Sequence, residues 1–350
     1  MRRVYDRAMT LATRPLGRTG LFVSIVGFGS APLGDLYARL DDATAIATAE
    51  AAHAAGVTLF DTSPHYGRGL AEHRCGTALR RVPRETFVLS TKVGRVMEAR
   101  PDVEVEVATG GAGFVGGLPH RPRFDYSYDG AMRSFEQSLL RLGIDRIDVL
   151  LIHDADRFMH GREGYEIRFK EAMEGAYVAL ERLRAAGAVK GIGIGVNDAE
   201  ACARFARAGD FDCMLLAGRY SLLEQPALQS FLPLAVEKGI AVMLGGVFNS
   251  GILATGPVEG ARYNYRPATP EVLERVGRIE RVCQSHGVAL PDAALHFPLA
   301  HPAVASVVLG AVAPAEVARN IAALARPIPT ALWRDLKSEG LLDPAVPVPA

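Results

Sequence analysis

The chain is 350 residues long, with 49% hydrophobic and 22% charged residues, so it is long enough to bury a large core. Lys plus Arg equals Asp plus Glu at 39 each, and this balance argues against binding to nucleic acid or to an anionic membrane surface. The four cysteines are scattered and form no CxxC pair, which argues against a disulfide framework and a zinc site and favours a reducing compartment.

The N-terminal segment does not resemble a targeting signal. Its first twenty residues contain five arginines and no apolar core, and no apolar run in the chain reaches the roughly 18 residues of a membrane span. We therefore expect a cytoplasmic protein that acts on a small molecule. The pattern predicts one domain over residues 1–350, with a short hairpin at 15–21, a core at about 14–325 and a loosely held tail at 343–350.

Eight short apolar segments alternate with longer amphipathic segments along the chain. The predicted strands are 24–29, 57–61, 87–92, 147–153, 189–196, 212–217, 240–244 and 304–309. The predicted helices are 41–55, 130–142, 169–186, 198–208 and 270–286. Apolar strands separated by helices indicate a parallel sheet covered on both faces, and eight such units favour a closed (β/α)₈ barrel whose floor the 15–21 hairpin would close.

An open, doubly wound sheet is the alternative fold. It predicts a GxGxxG motif after the first strand, and residues 27–32 (GFGSAP) do not supply one. The glycines at 191, 193 and 195 have the wrong spacing and lie inside a strand pattern, where they allow close packing. Two long segments without a clear pattern, 96–129 and 245–268, are predicted lids or binding loops at the mouth of the barrel.

Four titratable side chains follow the carboxyl ends of neighbouring strands. Asp61, Lys92 and His153 end the second, third and fourth strands, and Tyr66 follows on the loop after Asp61. Active sites of parallel barrels lie at these strand ends. Each residue alone has an ordinary structural interpretation, such as helix capping for the aspartate. Their convergence on one rim favours a catalytic site.

These four groups suit proton transfer at a hydroxyl or carbonyl group. A phenol has a pKa of about 10, and a neighbouring ammonium would lower it towards neutrality. A carboxylate would hold the ammonium, and a neutral imidazole would hydrogen-bond the substrate oxygen. The sequence contains no metal-ligand pattern and no plausible nucleophile, so hydride transfer to a bound nicotinamide is the natural partner reaction.

The motifs around these residues resemble those of the aldo-keto reductase family. They are FDTSPHYG at 60–67, STKVG at 90–94, RLG at 141–143 and the segment 148–153, within a likeness that spans about residues 14–324. The resemblance implies a (β/α)₈ barrel in which Tyr66 donates or accepts the proton. Lys92 and Asp61 would tune Tyr66, and His153 would orient the substrate.

Within the family the chain is most similar to the sugar-oxidising branch of the D-threo-aldose 1-dehydrogenases, or L-fucose dehydrogenases. The features that carry this likeness are YGRGLAE at 66–72, FDYS at 124–127, HD at 153–154 and AGRYSLL at 217–223. Plant L-galactose dehydrogenase and a pyridoxal 4-dehydrogenase share the pattern. The resemblance implies oxidation of the anomeric C1 hydroxyl of an aldose such as L-fucose, L-galactose or D-arabinose to the lactone, with Tyr66 as proton acceptor.

The resemblance also implies a nicotinamide site across the barrel mouth. Asn197 is the candidate for holding the carboxamide, although it could instead cap the following helix. Ala217 and Gly245 depart from the Gln and the stacking Tyr of many members. The loop FNSGIL at 248–253 resembles a pyrophosphate clamp, where small residues let backbone N–H groups approach a phosphate, although it could be an ordinary turn. The predicted cofactor residues of this part are Ser30, Asn197, Phe248, Asn249, Ser250, Gly251 and Leu253.

The adenosine end of the predicted site follows the last strand. Its candidate residues are Gly310, Ala311, Glu316 and Asn320, at the start of a helix that begins at Pro314. Residues 309–318 contain no Lys or Arg, so Arg319 is the first cation after the last strand, and Glu316 stands where family members that use NADP often have an arginine. Because a carboxylate repels a phosphate, we expect a preference for NAD, with NADP possible and no metal.

Substrate residues are more weakly indicated than the catalytic ones. His65, Phe114 and Asp154 lie in segments at the mouth, and Arg219 could contact the cofactor, the sugar or a buried carboxylate. Two alternatives within the family are pyridoxal 4-dehydrogenase and a general aldehyde or ketone reductase. Two outside it are a non-catalytic nicotinamide-sensing subunit and an aldolase that uses Lys92 as a Schiff base. The sequence leaves the oligomeric state open.

Overall fold

The structure is a computed structural model that describes residues 11–99 and 113–349. These residues form fourteen strands: β1 (Thr13–Pro15), β2 (Phe22–Ser24), β3 (Val26–Gly29), β4 (Leu59–Asp61), β5 (Val88–Val93), β6 (Arg95–Ala99), β7 (His120–Phe124), β8 (Val149–His153), β9 (Gly191–Val196), β10 (Cys213–Ala217), β11 (Ala241–Gly245), β12 (Arg262–Tyr263), β13 (Arg266–Pro267) and β14 (Val304–Gly310). Eight of them are parallel and form a closed barrel in the order β3-β4-β5-β8-β9-β10-β11-β14. The pairing of β14 with β3 closes it, and the predicted (β/α)₈ barrel is confirmed.

The helices surround the barrel. They are α1 (Asp42–Ala54), α2 (Leu70–Leu79), α3 (Tyr128–Leu142), α4 (Arg157–Glu171), α5 (Tyr177–Ala185), α6 (Ala199–Ala208), α7 (Ala227–Ser230), α8 (Leu232–Lys238), α9 (Ile252–Thr255), α10 (Pro270–Ser285), α11 (Leu290–His296), α12 (Pro314–Leu324) and α13 (Thr330–Ser338). Side-chain caps set several starts: the Asp41 carboxylate accepts from the Thr44 N–H, and the Ser127 hydroxyl accepts from the Gly130 N–H.

The N-terminal hairpin closes the floor of the barrel, as predicted. Strands β1 and β2 pair antiparallel, and the Leu16 N–H donates to the Leu21 carbonyl across the turn. Leu16 and Val23 are buried with barrel-interior side chains that include Leu151. The lower half of the barrel is therefore filled with apolar side chains, which leaves the opposite end, at the carboxyl termini of the strands, for a polar site.

The glycines of β9 allow close packing inside the barrel. A Cβ added at Gly193 would lie 1.9 Å from the Cys213 backbone oxygen, and one at Gly195 would lie 3.3 Å from Cε of Lys92. Gly195 therefore leaves the space that the Lys92 side chain occupies. This agrees with the packing role predicted for these residues. All four cysteines are buried and unpaired.

The predicted loop at 96–129 is wrong at both ends. Strands β6 and β7 form an antiparallel hairpin from Arg95↔Phe124 to Ala99↔His120, and α3 already begins at Tyr128. The hairpin had no apolar signature because β7 (HRPRF) is mostly exposed. Residues 100–112 of this predicted loop lie outside the described residues. The segment 245–268 is likewise not structureless, since it contains α9, β12 and β13.

One helical prediction and the C-terminal boundary also need correction. The helix predicted at 169–186 belongs to a longer helical segment that begins at Arg157 and includes a π-helical turn at Ala172–Ala176. The core extends past residue 325, because Trp333 of α13 is fully buried. The tail is held in place: Val346 is buried, and Lys337 Nζ donates to the Pro344 and Val346 carbonyls. Over the described ranges, no helix is long and apolar enough to cross a membrane.

Candidate active site

Lys92 and Asp61 form a buried ion pair at the carboxyl ends of β5 and β4. Lys92 Nζ lies 2.6 Å from Asp61 Oδ2 and donates to the Thr62 carbonyl at 2.8 Å, and Ser90 Oγ donates to Asp61 Oδ1 at 3.0 Å. The two charged side chains are 1% and 3% exposed. Burial raises the pKa of Asp61, and the Lys92 ammonium opposes that shift. The adjacent, parallel positions of β4 and β5 bring the two groups together.

Tyr66 packs against this pair through its ring. The Lys92 ammonium lies 4.7 Å from the ring centroid, and the ring stacks on Phe114 at 5.9 Å. Burial raises the pKa of Tyr66 well above its usual range, and the charges of Asp61 and Asp154 raise it further. The pKa of Tyr66 is therefore not lowered towards neutrality in the free protein, contrary to the prediction from the sequence. Burial of the phenol outweighs the Lys92 ammonium, which is paired with Asp61 and faces the ring.

His153 lies edge-on to Tyr66, with the two ring centroids 6.0 Å apart. Its Nδ1 is 3.1 Å from Ser63 Oγ and 3.2 Å from Nη1 of Arg95. Burial lowers the pKa of His153 well below its usual range, and the charges of Arg95 and Lys92 lower it further. The imidazole is therefore neutral around pH 7. The structure brings all four predicted groups together at one rim of the barrel.

Arg95 is a buried part of this site that sequence reasoning missed. Its Nη2 donates to Asp154 Oδ2 at 2.6 Å, and its guanidinium lies 4.3 Å from the centroid of the Phe124 ring. Both members of the ion pair are nearly inaccessible to solvent. A signal was present in the sequence, since an aspartate directly after a strand-end histidine needs a cation when buried. The residue that supplies it lies three positions after Lys92.

A cleft of about 810 Å³ opens above these groups. Tyr66, Lys92 and His153 line its base, together with the predicted substrate residues His65, Phe114 and Asp154. The His65 and Phe114 rings meet edge to face at 5.3 Å. Phe158, Met159 and Tyr265 line other parts of the cleft and were not predicted. The cleft therefore combines a polar base with several aromatic and apolar side chains.

Asn197 faces the cleft, as the cofactor hypothesis requires. The cap of α6 is Asp198, whose carboxylate accepts from the Glu200 and Ala201 N–H groups, so the alternative capping role for Asn197 is wrong. Among the described residues, the Asn197 amide nitrogen makes one long contact, 3.4 Å, with the Tyr265 hydroxyl. Beside it, the cleft is lined by Gly195, which has no side chain, and by the methyl group of Ala217.

A tight hairpin formed by β12 and β13 borders the cleft and is tied to the ends of the barrel strands. Its two turn residues, Asn264 and Tyr265, both have positive φ, 48° and 65°. Arg219 donates to Asn264 at 3.0 Å and to Glu224 at 2.8 Å, and the Tyr263 hydroxyl donates to Glu224 at 2.7 Å. The sequence left the cofactor, the sugar and a carboxylate open as partners of Arg219, and in the structure its partner is the Glu224 carboxylate. Its guanidinium anchors the hairpin and is not part of the cleft lining.

The 248–253 loop differs from an open phosphate clamp. The Asn249 N–H donates to the Gly246 carbonyl, and the N–H groups of Gly251 and Leu253 donate to the Phe248 carbonyl. Ser250 Oγ accepts from the Tyr265 N–H at 3.0 Å. Leu253 is buried in the core, and Phe248 packs against the core. The loop thus anchors the hairpin in this structure, and its binding role stays a prediction.

The adenosine-end candidates lie apart from the cleft lining. The Glu316 carboxylate accepts from the Val312 N–H at 3.0 Å, at the start of α12. Gly310 is exposed at the end of β14, Ala311 is buried, and Asn320 borders a small void beside Ala311. Ser30 is buried, and its hydroxyl has no hydrogen-bond partner within the described ranges. In the described ranges, no group of three His, Cys, Asp or Glu side chains is arranged to hold a metal.

The comparison with known proteins decides the family. The model of the aldo/keto reductase family matches residues 25–339. The chain belongs to the aldo-keto reductase family. Members of this family are oxidoreductases that use NAD(P)H, and the family resemblance drawn from the sequence motifs is confirmed.

Individual aldo-keto reductases align with nearly the whole chain. It is 42% identical to a pyridoxal 4-dehydrogenase from Microbacterium luteolum, covering 94% of this chain and 97% of that protein. It is 39% identical to a D-threo-aldose 1-dehydrogenase from a Pseudomonas species, covering 92% and 96%. The holo form of an aldo-keto reductase from Bacillus halodurans superposes with a TM-score of 0.73 at 25% identity, covering 96% and 98%.

Proposed function

We propose that this aldo-keto reductase oxidises the ring carbon of a cyclic hemiacetal to a lactone. The substrate would be an aldose such as L-fucose, L-galactose or D-arabinose, with NAD as hydride acceptor. The observation that carries the proposal is the cleft base, where a neutral phenol and a neutral imidazole flank a buried Lys92–Asp61 pair. The likeness to a D-threo-aldose 1-dehydrogenase supports the choice of substrate.

In this reaction Tyr66 accepts the proton of the anomeric hydroxyl. Tyr66 takes this proton as the phenolate and becomes the neutral phenol, and the Lys92 ammonium, 4.7 Å from the ring centroid, stabilises the phenolate before the transfer. His153 donates a hydrogen bond to the reacting oxygen and fixes its direction of approach. Asp61 holds Lys92 in place at 2.6 Å, so that the ammonium is already oriented before substrate binds.

The cleft fits a nicotinamide. Gly195 and Ala217 line the cleft beside the catalytic groups without bulky side chains. The Asn197 amide, which makes one long contact within the described residues, would hold the carboxamide. The bound cofactor would supply a hydride acceptor next to the substrate carbon. The residues proposed to hold the remainder of the cofactor are Ser30, Phe248, Asn249, Ser250, Gly251, Leu253, Gly310, Ala311, Glu316 and Asn320.

Pyridoxal, which can close to a cyclic hemiacetal, is a second candidate substrate. This substrate is favoured by the likeness of the chain to a pyridoxal 4-dehydrogenase and by the stacked Tyr66 and Phe114 rings at the cleft base. The test is the absorbance of reduced nicotinamide across a panel of aldoses and pyridoxal, with both cofactors. Turnover of an aldose at the highest kcat/KM supports the first candidate, and a clear preference for pyridoxal supports the second.

Two further measurements, nucleotide binding and borohydride trapping, separate the remaining alternatives. Bound nucleotide with no turnover of any hemiacetal or aldehyde would favour a nicotinamide-sensing subunit. Trapping of a carbonyl substrate on Lys92 by borohydride would favour an aldolase. The short ion pair between Lys92 and Asp61 argues against the aldolase, because a Schiff-base lysine must be neutral to attack and this one is held as a cation.

We predict a preference for NAD over NADP. The Glu316 carboxylate accepts from the Val312 N–H, just before α12, and the nearby Arg319 side chain lies 3.9 Å from it. A 2′-phosphate at this position would meet a negative charge whose neighbouring N–H is already bonded. The kcat/KM ratio for the two cofactors measures the preference. An Arg319→Gln variant is the matched control, because it removes the cation and should leave the NAD reaction unchanged. Equal or higher efficiency with NADP would overturn the prediction.

The pH dependence should follow the raised pKa of Tyr66. Oxidation needs the phenolate, which increases as pH rises, so kcat/KM for oxidation should climb from neutral into alkaline pH. Reduction needs the phenol and should fall only at alkaline pH. Since the pKa of His153 is lowered well below its usual range, its protonation should not limit either direction near pH 6.5. Oxidation rates that decline between pH 7 and 9 would contradict this assignment.

A further inference from the structure

We propose that Arg95 is a positioning residue that holds His153 as the neutral tautomer with its proton on Nε2. The inference deepens the proposed function, because it rests on His153 as the group that donates a hydrogen bond to the reacting oxygen. Arg95 itself would touch neither substrate nor cofactor. It would act by deciding which ring nitrogen of the histidine can donate.

The tautomer follows from the contacts of Nδ1. The Arg95 guanidinium carries only donors, and its Nη1 lies 3.2 Å from Nδ1 of His153. Nδ1 must therefore present its lone pair, and in the neutral ring the proton lies on Nε2. Ser63 Oγ, 3.1 Å from the same nitrogen, is compatible with either tautomer because a hydroxyl can donate or accept. Of the two polar neighbours of Nδ1, Arg95 is therefore the one that fixes the choice.

Arg95 is itself held in place from two sides. Its Nη2 bonds Asp154 Oδ2 at 2.6 Å, and the Phe124 ring lies against the guanidinium at 4.3 Å. Asp154 has a left-handed backbone, φ 55°, and its N–H donates to the Gly195 carbonyl at 2.9 Å. This conformation is uncommon for a residue other than glycine, and here it turns the carboxylate back towards Arg95.

The charges that face His153 also favour the neutral ring over the imidazolium as long as Arg95 is present. Arg95 from β6, Lys92 from β5, and His65 and Tyr66 from the segment after β4 surround the ring, and Asp154 adjoins it. Asp154 Oδ1 lies 3.5 Å from Nε2 of His153. With Arg95 present, the carboxylate is paired and the ring stays neutral. Without Arg95, the same carboxylate would stabilise an imidazolium.

The first test is the nitrogen spectrum of the wild-type protein labelled with ¹⁵N-histidine. The His153 signals are assigned by their loss in a His153→Gln variant. At neutral pH we expect an unprotonated Nδ1 and a protonated Nε2, with no titration of the ring near pH 6.5. A protonated Nδ1 in the wild-type protein would overturn the proposal without recourse to any variant of Arg95.

The second test compares Arg95→Met with Ser63→Ala, which removes the other polar neighbour of Nδ1. Arg95→Met should let His153 titrate near or above pH 6.5, move the acid limb of kcat/KM upward and lower kcat on the order of 10²-fold. Ser63→Ala should keep the wild-type tautomer. A tautomer that survives Arg95→Met, or is lost in Ser63→Ala, contradicts the inference.

A third variant guards against misfolding. Arg95→Met combined with Asp154→Asn removes both buried charges, so no uncompensated carboxylate remains. In this double variant we expect a neutral His153 ring with mixed tautomers and no upward shift of the acid limb of kcat/KM. The spectra of the free protein report the tautomer whichever substrate is turned over. Failure of the hemiacetal assay with the expected spectra would therefore reject the proposed function and leave the role of Arg95 intact.

Discussion

Tyr66→Phe should lower kcat by roughly 10²- to 10⁴-fold while the fold and cofactor binding stay intact. Within the described part of the chain the Tyr66 hydroxyl makes no hydrogen bond, and its ring is held by Phe114 stacking and by the Lys92 ammonium. Removing the hydroxyl therefore removes the proton acceptor and little else. The measurements are kcat with the best hemiacetal, the thermal midpoint, and nucleotide binding by quenching of protein fluorescence.

Tyr265→Phe is the matched control for this experiment. Tyr265 is another phenol that lines the cleft, and in the part of the chain that the structure describes its hydroxyl makes one contact, at 3.4 Å with Asn197. We expect this variant to retain most of the wild-type kcat. If Tyr265→Phe abolishes turnover and Tyr66→Phe does not, the proton acceptor is on the hairpin and the proposed role of Tyr66 is wrong.

The positions of the catalytic candidates could be predicted because a parallel barrel brings the carboxyl ends of its strands to one rim. The apolar segments that predict the strands end at Asp61, Lys92 and His153. The same pattern therefore located both the strands and the titratable groups at their ends. The details of their contacts could not be predicted. The Lys92 ammonium points towards Asp61 and the Tyr66 ring, and burial of the phenol raises the pKa of Tyr66. Both depend on side-chain packing that the strand pattern does not show.

Arg95 escaped prediction because its strand begins after a break. Gly94 has a φ of 102°, and a Cβ there would lie 2.5 Å from the Tyr126 ring, so the chain turns between β5 and β6. The apolar pattern of β5 therefore gives no information on where residue 95 points. A buried arginine also looks like a surface residue in the sequence, since only its pairing with Asp154 makes burial favourable.

The hairpin at the cleft was hidden for a different reason. Its two strands have two residues each, and its turn has Tyr265 at a positive φ, where a glycine is usual. Contacts with distant residues hold it, namely Arg219 and Glu224 near β10 and Ser250 after β11. Neither local propensity nor apolar periodicity could reveal an element that depends on such tertiary contacts.

The Lys92–Asp61 pair gives the second large prediction. Lys92→Met alone should lower the free energy of unfolding by about 3–5 kcal/mol, because it leaves the Asp61 carboxylate buried without its cation. Asp61→Asn alone should be destabilising for the converse reason. The double variant should be closer to wild type than either single variant, since both buried charges are then absent. Urea unfolding of the four proteins measures this cycle.

Activity should not follow stability in these variants. The double variant lacks the ammonium that lies 4.7 Å from the Tyr66 ring and stabilises its phenolate, so kcat should stay low, on the order of 10²-fold or more below wild type. A stable double variant with near-normal turnover would mean that Lys92 and Asp61 serve only packing at the end of the barrel. Stable and inactive protein would instead separate the two roles of the pair, because its charge would then be needed for the reaction and not for the fold.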